Sequence, residues 1–149
     1  MHAALVEVAL AVYGRFVLPL PRRDVRRFYW EMAVVAELVG VPRSVLPPTY
    51  GEFRDYLRTQ LEGSEVCVTE PARAIAAAVL RAPLPAAMRL LRPTHRLATA
   101  GLLPPTLRAQ YELPWDPGRS AALLVTASSL RVGAAPLVLA AKRLVASPV

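Results

Sequence analysis

Two imidazoles, one thiol and one dense run of guanidinium groups are the side chains of this chain whose types and spacing suit chemistry. The imidazoles are His2 and His95. His2 opens HAALVEVALAVYGRF and falls on the apolar stripe of a helix, one turn before Leu5 and Val6. An imidazole on such a stripe costs free energy unless its nitrogens find partners. The positive end of the helix dipole favours the neutral ring. A neutral imidazole facing an apolar cavity is what an axial haem ligand requires; the plainer alternative is an incidental residue in a fraying terminal turn. His95, in RPTHRLATAG, sits among arginines after a proline. It reads as a proton donor or second ligand, or as an ordinary surface or capping histidine. Cys67 lies between two valines and reads as a small buried or half-buried hydrophobe rather than a reactive thiol. The run RRDVRR at 22–27 would suit phosphates or an anionic membrane surface. Its plainer reading is a solvated helix face, and the spacing of Phe28, Tyr29 and Trp30 suits burial better than base stacking.

Several kinds of site are missing from the sequence. It has no phosphate-binding glycine loop, no GxSxG elbow and no His, Cys and carboxylate cluster at metal spacing. A single cysteine excludes an internal disulfide and fits an intracellular location. The net charge is +7, carried by seventeen Arg and one Lys, and there is no Asn. With abundant Ala, Pro and Val, that bias suggests GC-rich coding and a bacterial origin. It weakens the charge as a sign of nucleic-acid binding, and no nucleic-acid partner is expected. Glu7, Arg15 and Arg131 interrupt the apolar stretches before they reach the roughly 18 residues a spanning helix needs. No secretory signal pattern opens the chain. The expected location is cytoplasmic, with peripheral membrane contact left open by the apolar, basic C-terminal third.

The elements that must position these residues read as helices throughout, six to eight of them, separated by proline. The first spans about His2 to Leu18, with Leu5, Val6, Ala9, Val12, Tyr13 and Phe16 as its buried stripe. The second spans about Arg22 to Val39 and ends at Gly40; Val25, Phe28, Tyr29, Met32, Val35, Ala36 and Val39 form its apolar face. Thr49 and Glu52 have capping-box spacing ahead of a third, whose buried face is Phe53, Tyr56, Leu57 and Leu61, and which Gly63 ends. SEVCV, at 64–68, is short enough to be extended. Thr69 caps a helix with Pro71 in its first turn, packed through Ile75, Val79 and Leu80. Further helices are expected near Pro85 to Gly101, kinked or split at Pro93, and at Pro105 to Tyr111, Pro117 to Val132 and Pro136 to Val145. Hydrophobic residues make up 54% of the chain and charged ones 19%. Helix faces should therefore be widely apolar, with some of that surface left for a partner.

Four segments then stand in a telling order: HAALVEVALAVYGRFVLPL, FYWEMAVVAELVGVPRSVLPPTYGEFRDYL, VTEPARAIAAAVLRAPLP and TAGLLPPTLRAQYELPWDP. Over about residues 2–120 they resemble the C-terminal half of the family uniting the MpaB-type oxygenases with the latex-clearing rubber oxygenases. GLLPP, LRxQY and LPW in register carry most of that resemblance. It implies an all-α, globin-like fold, with residues 1–149 as the C-terminal portion of the catalytic domain. It also implies a b-type haem, dioxygen and an apolar organic substrate. The family's axial histidine lies in a short His-Ala motif, which only HAAL matches here, so His2 becomes the implied haem and iron ligand. The family's segment before that motif does not precede His2 in this sequence. The expectation is therefore an N-terminally shortened domain with impaired turnover. The competing expectation is a non-catalytic helical remnant or interaction module that self-associates through exposed apolar faces.

Overall fold

The structure is a computed structural model, which describes residues 2–63, 66–83 and 86–146. The expected all-α class holds: the described residues form seven α-helices and two 3₁₀ turns, with no strand among them. The helices are α1 (His2–Phe16), α2 (Arg22–Leu38), α3 (Tyr50–Glu62), α4 (Glu70–Arg81), α5 (Arg92–Leu102), α6 (Pro105–Gln110) and α7 (Pro117–Ala146). The 3₁₀ turns cover Arg43–Val45 and Ala86–Leu91. The chain parts into two compact units, Met1–Tyr50 with Leu124–Val149, and Gly51–Leu123.

In the first unit α1 packs on α2, and α2 on the 3₁₀ turn that follows it. Val6, Tyr29, Ala33, Ala36 and Ala127 are buried. Small residues at 33 and 36 let a neighbouring backbone approach closely. The Tyr29 hydroxyl donates to the Pro47 carbonyl at 2.6 Å, and its ring meets Tyr50 edge-on, centroids 6.0 Å apart. Buried tyrosine is thereby satisfied at its polar tip while its ring packs. Gly40 ends α2 as expected: at φ +89° it lets Val41 N–H donate to Ala36 and Gly40 N–H to Glu37, the two bonds of a Schellman stop. At the end of α1, Arg131 reaches across from α7 and donates to the Gly14 carbonyl at 2.6 Å.

In the second unit the Thr69 hydroxyl caps α4 by accepting from Ala72 N–H at 3.4 Å. Pro93 splits its segment as expected, with the 3₁₀ turn before it and α5 starting around it. Asp116 caps α7, its carboxylate accepting from Arg119 N–H at 2.8 Å, with Pro117 at the first helical position. Phe53, Ala100 and Leu123 are buried.

Several expectations need correction. Leu5 and Val12 on α1, Val35 and Val39 at the end of α2, Tyr56 on α3, and Ile75 and Val79 on α4 are exposed, not buried. Apolar periodicity identifies a helix face; whether anything covers that face depends on tertiary packing. Cys67 is exposed rather than buried. The two helices expected on either side of Pro136 are one helix, α7, with the proline inside it. Proline removes one hydrogen bond and strains a helix by about 3 kcal/mol, yet it need not break one flanked by good helix formers such as the alanines here. Residues 64 and 65 of SEVCV lie outside the described residues, and 66–69 form no ladder.

Among the described residues, one non-glycine backbone position lies in the left-handed region. Glu112, just after α6, has φ +54°. Leu113 N–H donates to Arg108 and Glu112 N–H to Ala109, a Schellman stop in which glycine is the usual residue. Glu112→Gly should raise the unfolding free energy by ~1 kcal/mol, because the left-handed conformation penalises a Cβ. Urea denaturation measures this, and an unchanged or lower midpoint would count against that account of the turn.

Candidate functional site

His2 lies in the first turn of α1 and its ring is half-buried. At 100° per residue it stands between two kinds of surface. Val6, one turn on, is fully buried, whereas Leu5 and Val12, on its other flank, are exposed. The Nε2 atom of His2 is buried and has no hydrogen-bond partner among the described residues. Burial, and secondarily the positive charge of the amino terminus, lower the pKa of the ring from its ordinary value. Desolvation penalises the imidazolium because the charged form loses its water. The result is a neutral imidazole with a sheltered nitrogen that nothing in the described chain engages. That is the state in which histidine ligates metals.

The other residues singled out above do not form a site. His95 is exposed on α5. Thr94 and Arg96 on either side of it line a cavity, but His95 does not. Cys67 is exposed and free. The RRDVRR run is a solvated face: Arg23 pairs with Asp24 at 3.3 Å and Arg27 with Glu31 at 2.8 Å, all well exposed. Among the described residues no group of three or more His, Cys, Asp and Glu side chains could hold a metal ion. No helix of the described residues is long and apolar enough to cross a membrane.

Outside those residues, the segments GLLPP, LRxQY and LPW prove to be one connected assembly in the second unit. Arg108 donates from Nε to the Ala100 carbonyl at 2.8 Å and from Nη2 to the Leu103 carbonyl at 2.9 Å. Its guanidinium stacks 4.1 Å from the centroid of the Trp115 ring. Gly101 lies where a Cβ would overlap Leu123 and stand 2.7 Å from Trp115 Cη2, so any larger residue there would have to displace both side chains. Gln110 accepts from Val68 N–H through its side chain at 2.8 Å and from Arg73 Nε through its carbonyl at 2.9 Å. Together these bonds tie α4, α5, α6 and the Trp115 segment around a cavity of about 750 Å³.

Residues 1–132 match the family described as ER-bound oxygenase mpaB/B′/Rubber oxygenase, catalytic domain. The chain belongs to this family. The match includes His2 as well as the Arg108–Trp115 assembly. Neither a curated protein nor a solved structure matches the chain. Sequence reading singled out His2 as a candidate and did not foresee the cavity. The signal for it was present in LRxQY and LPW, whose Arg and Trp lie seven residues apart, but their pairing is a tertiary contact.

The lowered pKa of His2 has a consequence for stability in this mpaB/rubber-oxygenase chain. As pH falls below about 6.5, the ordinary imidazole value, the unfolded chain takes up the proton first. It then binds more protons than the folded one, and stability decreases until the lower folded pKa has been passed. Above about 6.5 the contribution is fully present. Proton NMR of the His2 ring should give a midpoint below that of a model peptide, and His2→Phe should flatten the loss of stability between pH 7 and pH 5. A His2 midpoint at or above the model-peptide value would contradict the burial argument.

Proposed function

We propose that this chain carries the haem-ligating helix of a haem-dependent oxygenase acting on an apolar organic substrate, with His2 as the axial ligand of a b-type haem. Membership in an oxygenase catalytic-domain family supplies the reaction class. The observation that carries the reading is the buried, unpartnered Nε2 of His2. An unsatisfied buried nitrogen costs about 1–3 kcal/mol, and a metal ligated there would remove that cost. When bound, the haem supplies the redox chemistry with dioxygen.

The chain's own residues do the rest. Burial holds the His2 ring neutral, which keeps a lone pair available. Leu5 and Val12, on the exposed flank of the histidine, offer an apolar surface without a competing donor or acceptor. Such a surface excludes water from whatever apolar group covers it. Leu5 is 56% exposed; that is apolar surface a porphyrin or an apolar substrate would bury favourably, at roughly 25 cal/mol per Å².

The same exposed flank favours a second reading, an interaction surface through which copies of the chain associate. The two readings separate experimentally. Added haemin should produce a Soret band in the purified chain, His2→Ala should weaken haemin binding by at least about tenfold, and His95→Ala should leave it unchanged. A Soret band indifferent to His2→Ala would overturn the ligand assignment. A colourless, haem-indifferent protein that light scattering shows to be oligomeric would favour the interaction surface instead.

A further inference from the structure

The cavity in the second unit has an unusual wall. Five of its lining residues are arginines (Arg73, Arg81, Arg92, Arg96 and Arg119), and none of the described lining residues is acidic. Two of the five have a carboxylate nearby: Arg73 pairs with Glu70 at 2.8 Å and Arg119 with Asp116 at 3.6 Å. The other three have none among the described residues. Arg92 reaches the Ala82 carbonyl only at 3.4 Å and Arg96 the Leu80 carbonyl at 3.3 Å, while Arg81 has no hydrogen bond to another described residue. A guanidinium has five N–H donors and stays charged at any physiological pH. Three of them at one cavity therefore leave most of their donors unspent and raise a positive potential that low-dielectric walls focus. Much of the remaining wall is apolar, including Leu80, Leu97, Ala100, Leu113 and Trp115. A volume of about 750 Å³ is within the range of small-molecule sites.

A ligand that satisfies both surfaces must be anionic at one end and apolar along its body. We propose that this cavity binds an anionic amphiphile, an apolar chain with a carboxylate or phosphate head. Arg81, Arg92 and Arg96 hold the head, and Leu97, Leu113 and Trp115 receive the chain. The planar fork of arginine matches both oxyanions in bidentate geometry. The site uses no residue of the unit that holds His2, and the proposal does not rest on the haem reading.

Trp115 reports on the cavity, because the only other tryptophan, Trp30, is 61% exposed on α2 and can be replaced by Phe. In the Trp30→Phe chain, submicellar dodecanoate and dodecyl phosphate should each shift Trp115 emission. They should bind at least about tenfold more tightly than dodecanol, which lacks the charge. Acetate and inorganic phosphate, which lack the chain, should bind weakly. The R81Q/R92Q/R96Q variant should lose about tenfold in affinity for both acids and none for dodecanol, with helicity by circular dichroism unchanged. Should that variant fail to fold, Arg81→Gln alone, at an exposed and unpartnered position, should show a smaller loss in the same direction. Equal affinity for dodecanol and dodecanoate would overturn the proposal. So would inorganic phosphate binding as tightly as dodecyl phosphate, or arginine variants that retain full affinity for the acids.

Discussion

The second unit depends on how one guanidinium satisfies the end of a helix. α5 finishes without a glycine stop, and Leu103 leaves it in an extended conformation. The carbonyls of its last turn therefore need donors from elsewhere. Arg108 supplies two of them, to Ala100 and Leu103, and lays its plane against Trp115. A cation also suits the negative end of the α5 dipole. Because Arg108 is on α6 and Trp115 follows it, this single side chain fixes where α6 begins its turn away from α5. It also fixes where the aromatic wall of the cavity stands. The Schellman stop at Glu112 then aims Leu113 to Trp115 back toward α5, and Asp116 starts α7 immediately afterwards.

The first unit uses the same device. Arg131 donates to the Gly14 carbonyl in the last turn of α1, binding α7 to the helix that carries His2. In both units a long cationic side chain from another helix completes a C-terminal turn. Part of the arginine content of this chain is thus structural, inside its packing, and not a solvated coat. The paired arginines of the RRDVRR face are the coat, and exposed pairs of that kind contribute little. Three of the cavity arginines, Arg81, Arg92 and Arg96, belong to neither group, since no carboxylate answers them among the described residues.

How much of this was legible beforehand varied with the range of the interaction. Local signals were reliable: Gly40 as a stop, Thr69 as a cap, Pro93 as a split and the starts of α2, α4, α6 and α7 all lie where the sequence indicates. These depend on residues three or four apart. Burial was read poorly. Leu5, Ile75 and Val79 have the spacing of core residues and are exposed, because periodicity says nothing about the partner on the other side. Pro136 misled in the opposite direction, since a proline's preference can be overridden by the helix around it. His2 could be singled out from its place on a stripe, but the isolation of its Nε2 is a property of packing. The Arg108–Trp115 contact and the gap at Gly101 that admits Trp115 are likewise invisible until the chain folds, though GLLPP, LRxQY and LPW in register were enough to point to the family.

The central claim is that Arg108 works as a fork, not merely as a charge. Arg108→Lys tests it most directly, because lysine keeps the cation but cannot serve two carbonyls and a ring face in one planar group. Urea unfolding should show a loss of ~2 kcal/mol, and the near-ultraviolet circular dichroism contributed by Trp115 should diminish as the ring loses its plate. A lysine variant as stable as the parent, with the tryptophan signal intact, would contradict the account.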